Sequence, residues 1–519
     1  MALTTDVVSA ARALSPLYIL LAASFAFLSY TLYTYQTLAH IPGPFWARIS
    51  NIPRFLWVWR RRAHEEHIAL HRRYGPLVRM GPNMVSVGDP GAIAQIYGFS
   101  GTYAKSDFYH VILPMSKGRI LPGLFATQDE GVHRMLKRPI AQTYSMSNLV
   151  SFEPYVDSTM RVFFEQVDRR FVSTGELCDL GAWLQMYAFD VIGEITFSKR
   201  LGFLEEGRDV DNIMGDIWRY FEYTAPVGMM PWIDRLWVKN PIVSMLRPAG
   251  WNAMGEFAVK RQTERLRAEE DVENNKGDLN SRDFLSRFIE QMKKDKSIPP
   301  WALQAWTQSN ITAGSDTTAI TLRTIIYNLL KHPHTMERLL QELDQADLSE
   351  LVTWKQSLTL PYLDACIKEA GRIHPPFGLP YERVVPKEGA RISGEWFKGG
   401  TVVGCSAWVV HRNEEVFGAE VDTWRPERWL DCDAEQRKKM ENSLLTFGHG
   451  HRSCIGKNIS YLEVYKLVPT LLKTYELELD CPNAKNEWRL ENRWFVPQFD
   501  FFVRMKKRAS VASEKLVET

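Results

Sequence analysis

A glycine-rich loop with one cysteine constrains this chain of 519 residues more than any other feature of its sequence. The loop spans residues 447–456, FGHGHRSCIG, and apolar residues recur at helical spacing directly after it, from Lys457 to about residue 473. Glycines let the backbone approach a flat ligand closely. The free N–H groups and the dipole at a helix start favour a thiolate over a thiol. A lone cysteine is usually an inert small hydrophobe, but this setting predicts that Cys454 is a ligand or a reactive group.

The overall composition excludes several classes of protein. The six cysteines, at positions 178, 366, 405, 432, 454 and 481, are widely spread and form no CxxC pair. Such spacing indicates free thiols in a reducing compartment and not a disulfide framework or a zinc site. The formal net charge is only +2 and no long basic stripe occurs, so nucleic acid is not an expected partner.

The N-terminal segment is uncharged over a length that suits a lipid bilayer. No charged residue occurs from Ala13 to Ala39, and a helix rising 1.5 Å per residue over this length spans a hydrocarbon core of about 30 Å. Cleaved signal peptides have shorter apolar cores and a basic start, whereas here arginines follow the segment, at positions 48, 54, 60, 61 and 62. The pattern predicts a lumenal N-terminus over residues 1–12, a transmembrane anchor over 13–39 and a cytosolic main domain.

The rest of the chain predicts one mainly helical domain with a minor β part over residues 40–505, followed by a flexible tail over 506–519. Apolar residues recur at three- and four-residue intervals in the stretches 150–225, 252–267, 283–293, 300–331, 333–345, 361–373 and 457–475. Short apolar runs around a Gly-Pro-Asn turn predict a β-hairpin over 77–87, and a second strand-rich patch covers about 391–410. The charged run 269–276 predicts a solvated loop.

The cysteine loop carries the pattern F-x-x-G-x-R-x-C-x-G with all five fixed positions present, which makes it a specific motif. This pattern resembles the haem-binding signature of the cytochrome P450 family. Over roughly residues 41–505, the resemblance implies a single cytochrome P450-type domain with a long central helix over haem b. It implies that Cys454 is the axial ligand of the haem iron and that Arg452 contacts a haem propionate. Phe447, Gly448 and Gly456 are then expected to line the haem site.

An acid–alcohol pair lies midway along the predicted long helix. Asp316 and Thr317 follow Gly314 within residues 300–331, and the helix is uncharged from 301 to 315. Glycine inside a helix costs about 1 kcal/mol relative to alanine, and Asp and Thr side chains compete for backbone hydrogen bonds. We therefore expect the helix to open locally here. The resemblance implies that Asp316 and Thr317 are catalytic residues that deliver protons during oxygen activation.

A buried ionic triad is the next feature that the resemblance implies. Glu369 and Arg372 form an E-x-x-R pair. The stretch 264–267 has the same pattern, which there predicts an ion pair on the surface of a helix. Position favours the pair at 369, because it is the nearer of the two to Cys454 and to the string Pro-Glu-Arg-Trp that contains Arg428. By resemblance, Glu369, Arg372 and Arg428 form a structural network, because one carboxylate shared by two guanidiniums fixes geometry.

Further cationic residues are expected to hold the haem propionates. Arg383 matches an arginine of the family that contacts haem. Where the family commonly has W-x-x-x-R on a helix, this chain has His133 and Lys137, which can still donate hydrogen bonds to a carboxylate. Lysine donates from a single ammonium group, whereas the arginine of the family can donate two parallel hydrogen bonds to one carboxylate. Arg138 is the alternative propionate contact.

The resemblance also implies an activity, partners and a location. It implies insertion of one oxygen atom from O₂ into an apolar organic substrate, with electrons from an NADPH–cytochrome P450 reductase and cytochrome b5 as a further donor. The strings at 189–194 and 409–413 resemble filamentous-fungal, pisatin-demethylase-like members, which commonly oxidise secondary metabolites. The predicted anchor places the protein in the endoplasmic reticulum membrane as a single-pass protein.

The sequence also indicates candidate residues for the substrate pocket and leaves two alternative functions. Ten bulky apolar residues are candidates for the pocket wall: Phe108, Tyr109, Leu121, Phe125, Phe221, Met229, Met230, Trp232, Phe377 and Phe495. A haem-thiolate isomerase, dehydratase or peroxygenase is the first alternative, and a non-catalytic membrane haem sensor is the second. Neither requires a proton relay, so the Asp316–Thr317 pair favours the monooxygenase. The identity of the substrate stays open.

Overall fold

The computed structural model describes residues 16–99, 102–116, 119–246, 259–260, 262–265, 267 and 283–509. The predicted lumenal segment over 1–12, most of the predicted helix over 252–267, the predicted charged loop over 269–276 and the end of the predicted tail lie outside these residues.

Helices make up most of the described chain. Those of eight or more residues are α1 Pro16–Thr37, α2 Ile52–Trp59, α3 Ala63–Tyr74, α4 Glu130–Lys137, α5 Glu153–Val167, α6 Leu180–Phe197, α7 Ile213–Val227, α8 Phe284–Lys294, α9 Trp301–Gly314, α10 Asp316–Lys331, α11 Pro333–Gln345, α12 Pro361–Ile373, α13 Ala434–Ser443 and α14 Lys457–Thr474. Shorter helices cover Phe45–Ile49, Ile93–Tyr97, Phe108–Ile112, Met146–Leu149, Phe203–Glu206, Trp232–Leu236, Pro241–Leu246, Trp354–Ser357, Ala407–Val410 and Glu414–Phe417.

Local sequence explains where several of these helices begin. The side chain of Asp129 accepts a hydrogen bond from the backbone N–H of Val132 and so caps the start of α4. Asp179 caps α6 in the same way through Ala182. Helices α11 and α12 both begin with proline, whose missing N–H costs nothing in the first helical turn.

The β part consists of short strands in separate sheets. They are β1 Leu77–Gly81, β2 Met84–Val87, β3 Ala104–Lys105, β4 Met115–Ser116, β5 Arg119–Ile120, β6 Cys178–Asp179, β7 Arg383–Val384, β8 Ala390–Ile392, β9 Glu395–Phe397, β10 Val402–Gly404, β11 Tyr475–Leu479, β12 Arg489–Leu490, β13 Gln498–Phe499 and β14 Phe502–Lys507. The largest sheet has the order β1-β2-β10-β7-β3, and a second has the order β11-β14-β6. Three two-stranded pairs, β4-β5, β8-β9 and β12-β13, complete the β part of the described chain.

Most sequence predictions of elements are confirmed. The hairpin over 77–87 is present as β1 and β2, with Leu77 opposite Val87, and the patch over 391–410 contains β8, β9 and β10. The predicted helix over 300–331 is present but divided, because Ser315 interrupts it between α9 and α10. Strand β14 continues to Lys507 along β11, so the predicted tail begins at least two residues too early.

The predicted transmembrane anchor is not supported. Within the described part of the chain, no helix combines the length and the apolar character needed to cross a membrane. The described part of the predicted segment is α1, whose second half is rich in serine, threonine and tyrosine hydroxyl groups. Several apolar side chains of α1 are nevertheless exposed, among them Leu20, Phe25 and Leu28.

The long helices pack around α10 and place the cysteine loop opposite the break in the divided helix. Helix α6 packs against both α9 and α10, and α14 also packs against α10. All three of α6, α10 and α14 are buried over most of their length. Because Cys454 lies just before α14 and the break at Ser315 lies just before α10, the packing of these two helices brings the two features to one cavity.

Candidate haem-binding site

The cysteine loop is held in an unusual backbone shape that requires glycine. Gly448 and Gly450 have φ angles of +68° and +63°, a region that L side chains rarely adopt. A Cβ atom on Gly450 would lie 1.9 Å from the carbonyl oxygen of Tyr97, which leaves no room for any side chain. The backbone N–H of Cys454 donates to the carbonyl of Phe447 at 2.8 Å and closes the loop.

The thiol of Cys454 lies deep in the molecule but is accessible, because it faces a cavity. Burial raises the pKa of this thiol above its ordinary value. The backbone N–H of Gly456 and the positive charges of Lys137 and Lys457 act in the opposite direction. These groups favour the thiolate, and coordination to a metal removes the thiol proton outright. The setting therefore suits a cysteine that ligates a metal.

About 1400 Å³ of space in front of Cys454, including its opening to solvent, is not filled by protein atoms. Its walls come from distant parts of the chain, including α4, α9, α10, β3, β7 and the cysteine loop. The predicted residues Phe447, Gly448 and Gly456 all line it.

The predicted propionate contacts gather on this cavity with one exception. His133, Lys137, Arg383 and Arg452 all line it, whereas Arg138, the alternative contact, is exposed and lies outside the lining. Burial, followed by the charges of Arg452 and Lys137, lowers the pKa of His133 to about 3. The imidazole is therefore neutral near pH 7 and can donate one hydrogen bond.

The described structure also gives these cations internal partners. Arg452 donates two hydrogen bonds to Glu130 Oε1, at 3.0 and 2.7 Å, and His451 lies 3.1 Å from Glu130 Oε2. Lys137 donates to the carbonyl of His451 at 2.6 Å. Glu130, which is not among the predicted site residues, therefore ties the cysteine loop to α4.

Lys105 is a further basic residue on the cavity, and no sequence motif indicates it. It lies in β3 directly opposite Arg383 in β7, and its ammonium group donates to the carbonyl of Phe125. The group also lies 3.8 Å from the ring centre of Phe125 and 4.2 Å from that of Tyr109. Burial, followed by the charges of Arg383 and Arg452, lowers the pKa of Lys105 well below its ordinary value. A carboxylate bound in this cavity would stabilise the charged ammonium group of Lys105 and so offset the free-energy cost of burying it.

The acid–alcohol pair is divided between two environments. Thr317 lines the cavity, and its hydroxyl donates to the carbonyl of Ala313 at 2.9 Å. Asp316 does not line the cavity and instead accepts a hydrogen bond from Gln185 in α6. Burial raises the pKa of Asp316 to about 7, although Arg323 and Gln185 oppose the shift. A carboxyl whose pKa is raised in this way can accept and release a proton near neutral pH.

The predicted triad is present and buried. Arg372 donates to both carboxylate oxygens of Glu369, at 2.8 and 2.7 Å, and Arg428 donates to Oε1 at 3.1 Å. The indole N–H of Trp429 and the backbone N–H of Arg425 also donate to this carboxylate. Burial alone would raise the pKa of Glu369, but the charges and hydrogen bonds of Arg372 and Arg428 outweigh it and lower the pKa.

A second cavity of about 1040 Å³ adjoins the first, with Leu124, Phe125, Ser309, Ala313 and Phe377 in both walls. Of the candidate wall residues, Tyr109, Leu121, Phe125, Phe221, Phe377 and Phe495 line one or both cavities. Phe108, Met229, Met230 and Trp232 line neither, and Trp232 is exposed. Trp494 lines the second cavity and was not predicted.

These residues fit a haem group. Haem needs one strong axial ligand, a flat apolar site and cations for its two carboxylates. Cys454 is placed to supply the ligand, and Lys105, Lys137, Arg383 and Arg452 line the same cavity as candidate partners of the carboxylates. The fold and the site together define a haem-thiolate protein.

Comparisons with known proteins agree with this class. The sequence profile described as Cytochrome P450 matches residues 42–512. A cytochrome P450 monooxygenase of Aspergillus terreus is 57% identical over 481 residues, which are 92% of this chain and 98% of that protein. The cytochrome P450 monooxygenase cicH of Emericella nidulans is 53% identical, over 91% of this chain and 95% of that protein. The cytochrome P450 monooxygenase mpaDE of Penicillium brevicompactum is 43% identical over 93% of this chain and 57% of that protein.

This chain belongs to the cytochrome P450 family, and it is a haem-dependent monooxygenase. The predicted resemblance to fungal members of the family is confirmed by these relatives. The isomerase, dehydratase, peroxygenase and sensor alternatives are therefore not adopted.

Proposed function

We propose that this monooxygenase uses haem b to insert one oxygen atom from O₂ into an apolar organic substrate of fungal secondary metabolism. The observation that carries the proposal is the cavity shared by Cys454 and Thr317, with a second apolar cavity beside it. The fungal monooxygenases named above support the type of reaction, since they are similar to this chain along almost the whole of its length.

Each part of the site has a separate task in this reaction. When bound, haem supplies the oxygen activation that side chains alone cannot perform. Cys454 would hold the iron, to which its thiolate would donate electron density. Arg383, Arg452 and Lys105 would hold the carboxylates of the haem, and the apolar walls of both cavities exclude water from the substrate.

Two residues of the divided helix handle protons. The hydroxyl of Thr317 lies at the cavity wall and can pass a proton into it. The carboxyl of Asp316, with its pKa raised to about 7 by burial, can take a proton from the other side of the helix. The helix is interrupted at Ser315, directly before these two residues. Thr317 faces the cavity of Cys454, whereas Asp316 faces Gln185 in α6.

The electrons come from a separate protein in this proposal. An NADPH–cytochrome P450 reductase is the proposed donor, and cytochrome b5 is a further donor. Members of the family generally depend on such a redox partner. Turnover of the purified protein should accordingly require both NADPH and the added reductase.

Replacing Thr317 by alanine should uncouple electron use from product formation. The substrate is first identified as the metabolite that accumulates when the gene is deleted in the producing fungus. With that substrate, reductase and NADPH, we expect the T317A variant to release several-fold more hydrogen peroxide per NADPH than the wild type, because proton delivery fails. The T317S variant keeps the hydroxyl and should restore coupling. Equal coupling in T317A and the wild type would remove Thr317 from the proton path.

We also propose that α1 attaches the protein to the endoplasmic reticulum membrane, with the main domain on the cytosolic side. Exposed apolar side chains along α1, such as Leu20, Phe25 and Leu28, support attachment. The full chain should sediment with microsomes after carbonate extraction, whereas a variant without residues 1–37 should be released. An engineered N-terminal glycosylation acceptor would be modified only if the segment crosses the bilayer. Release of the full chain by carbonate would contradict membrane attachment.

A further inference from the structure

The second cavity has two chemically different walls. One wall is a continuous surface of aromatic rings from distant parts of the chain: Phe125, Phe221, Phe377, Trp494 and Phe495. The other wall is a stripe of α9 that carries the side chains of Gln308, Ser309 and Thr312. Since this cavity shares residues with the cavity of Cys454, a molecule bound in it extends toward the reactive site.

The aromatic wall is a packed array of rings and not a set of isolated side chains. The rings of Phe125 and Phe377 are parallel within 7°, with centroids 6.0 Å apart. Trp494 and Phe495 are stacked within 14° at 5.7 Å, and Phe221 meets Phe495 edge-on at 4.9 Å. Rings packed in this way keep their faces and edges fixed. Fixed aromatic surfaces favour a flat π-system over a saturated molecule of the same size, by offset stacking and edge contacts.

The α9 wall carries a side-chain amide that is open to the cavity. Gln308 is only 9% exposed, and its backbone carbonyl accepts a hydrogen bond from Thr312 at 2.8 Å. Among the described residues no hydrogen bond to its side-chain amide is found, and the amide is accessible from the cavity and not sealed in the core. A ligand that fills the cavity would remove this amide from water, so a ligand oxygen or hydroxyl that pairs with it is favoured over a ligand that cannot.

The charges around this cavity favour a neutral partner for the amide. Asp216 is the charged residue of its lining among the described residues, and it is paired with Arg219 and with Asn212. A carboxylate in the second cavity would meet this acid without a cation of the lining to offset it. The cationic groups Lys105 and Arg383 line the first cavity and not the second.

We propose that the second cavity binds a flat aromatic substrate that carries a neutral hydroxyl or carbonyl oxygen, and that Gln308 is the hydrogen-bond partner of that oxygen. The aromatic wall provides affinity for the ring, and the Gln308 amide fixes its orientation. This inference rests on the proposed monooxygenase function, because it concerns the substrate of the same site.

The test compares four small probes of similar size on the haem-loaded protein. They are 1-naphthol, naphthalene, decalin and 1-naphthoate, and binding is followed by the change in haem absorbance and, independently of haem, by equilibrium dialysis. Because one good buried hydrogen bond contributes about 1 kcal/mol, we expect 1-naphthol to bind roughly five- to tenfold more tightly than naphthalene. Naphthalene should bind more tightly than decalin, and 1-naphthoate should bind more weakly than 1-naphthol at pH 7.5.

Variants of α9 assign the preference to one side chain. In Gln308→Leu, the affinities for 1-naphthol and naphthalene should become nearly equal, while that for naphthalene is kept or improved. Gln304→Leu is the matched control, since Gln304 lies one turn earlier on α9 and lines neither cavity. It should keep the wild-type preference.

Two outcomes would overturn the inference. One is an unchanged preference for 1-naphthol in Gln308→Leu, and the other is binding of decalin as tightly as naphthalene. The proposed function fails separately, if the reduced protein with carbon monoxide lacks the spectrum of a thiolate-ligated haem. Equilibrium dialysis would still report on the second cavity in that case.

Discussion

Cys454→Ser is expected to abolish the red-shifted Soret band that the reduced, carbon monoxide-bound protein should show, together with all NADPH-dependent oxygenation. Serine has nearly the same shape as cysteine, but its hydroxyl stays protonated near pH 7 and donates far less electron density to iron. The backbone N–H of Gly456 and the charges of Lys137 and Lys457 are arranged to favour a thiolate at this position. The measurement is the difference spectrum of reduced protein with and without carbon monoxide.

The control for this substitution is Cys432→Ser. Cys432 is half-buried and lies outside both cavities, so its loss should leave the spectrum intact. Circular dichroism of C454S should match that of the wild type, which separates loss of the ligand from loss of the fold. A thiolate-type spectrum in C454S, or its disappearance in C432S, would contradict the assignment of Cys454 as the axial ligand.

Glu369→Gln is expected to lower the free energy of unfolding by about 3–5 kcal/mol, because it leaves two buried guanidiniums without their anion. Glu369 and Arg372 are fully buried, and Arg428 is almost so. The carboxylate accepts hydrogen bonds from both arginines, from Trp429 and from a backbone N–H. A neutral amide would also point N–H groups at these donors. Urea titration followed by circular dichroism measures the change.

A surface ion pair provides the matched control for Glu369. Glu290 and Lys294 are one turn apart on α8, and both side chains are more than half exposed. Exposed pairs contribute roughly 0–1 kcal/mol to stability, so Glu290→Gln should leave the free energy of unfolding almost unchanged. Arg372→Lys should behave like Glu369→Gln, since lysine keeps the charge but cannot form the two-pronged contact. A loss below 1 kcal/mol in Glu369→Gln would contradict a stabilising role for the triad.

Much of the fold could be predicted because local sequence determines it. The helix predicted over 333–345 is found at Pro333–Gln345, where proline marks its first turn and apolar residues mark one face. The cysteine loop was equally predictable, since its glycines, its cysteine and the following helix are contiguous in the chain. Gly314 and the polar residues after it predicted the break that the structure has at Ser315.

Features that depend on distant parts of the chain were harder to predict. Lys105 reaches the cavity only because β3 pairs with β7 and places it opposite Arg383, and no local pattern around Lys105 indicates that pairing. Asp316 turns away from the cavity because its hydrogen-bond partner, Gln185, lies in α6. Helical spacing shows that Asp316 and Thr317 point in different directions, but not which of them faces the cavity.

The residues that form the pocket wall are also hard to predict from the sequence. Trp232 was a reasonable candidate as a bulky aromatic, but it is exposed, whereas Trp494, which was not a candidate, lines the second cavity. Position along the chain cannot separate an aromatic in a core from one at a cavity, because both are determined by the packing of several elements.

The close fit of Gly450 against Tyr97 limits how far the cysteine loop can be transplanted. With only 1.9 Å between the carbonyl oxygen of Tyr97 and the place where a Cβ atom would sit, the loop and the short helix Ile93–Tyr97 are complementary halves of one unit. An engineer who grafts residues 447–456 onto another scaffold must therefore bring the end of that helix along, or the grafted cysteine will lose its backbone support. Directed evolution of the loop should find position 450 closed to every amino acid except glycine.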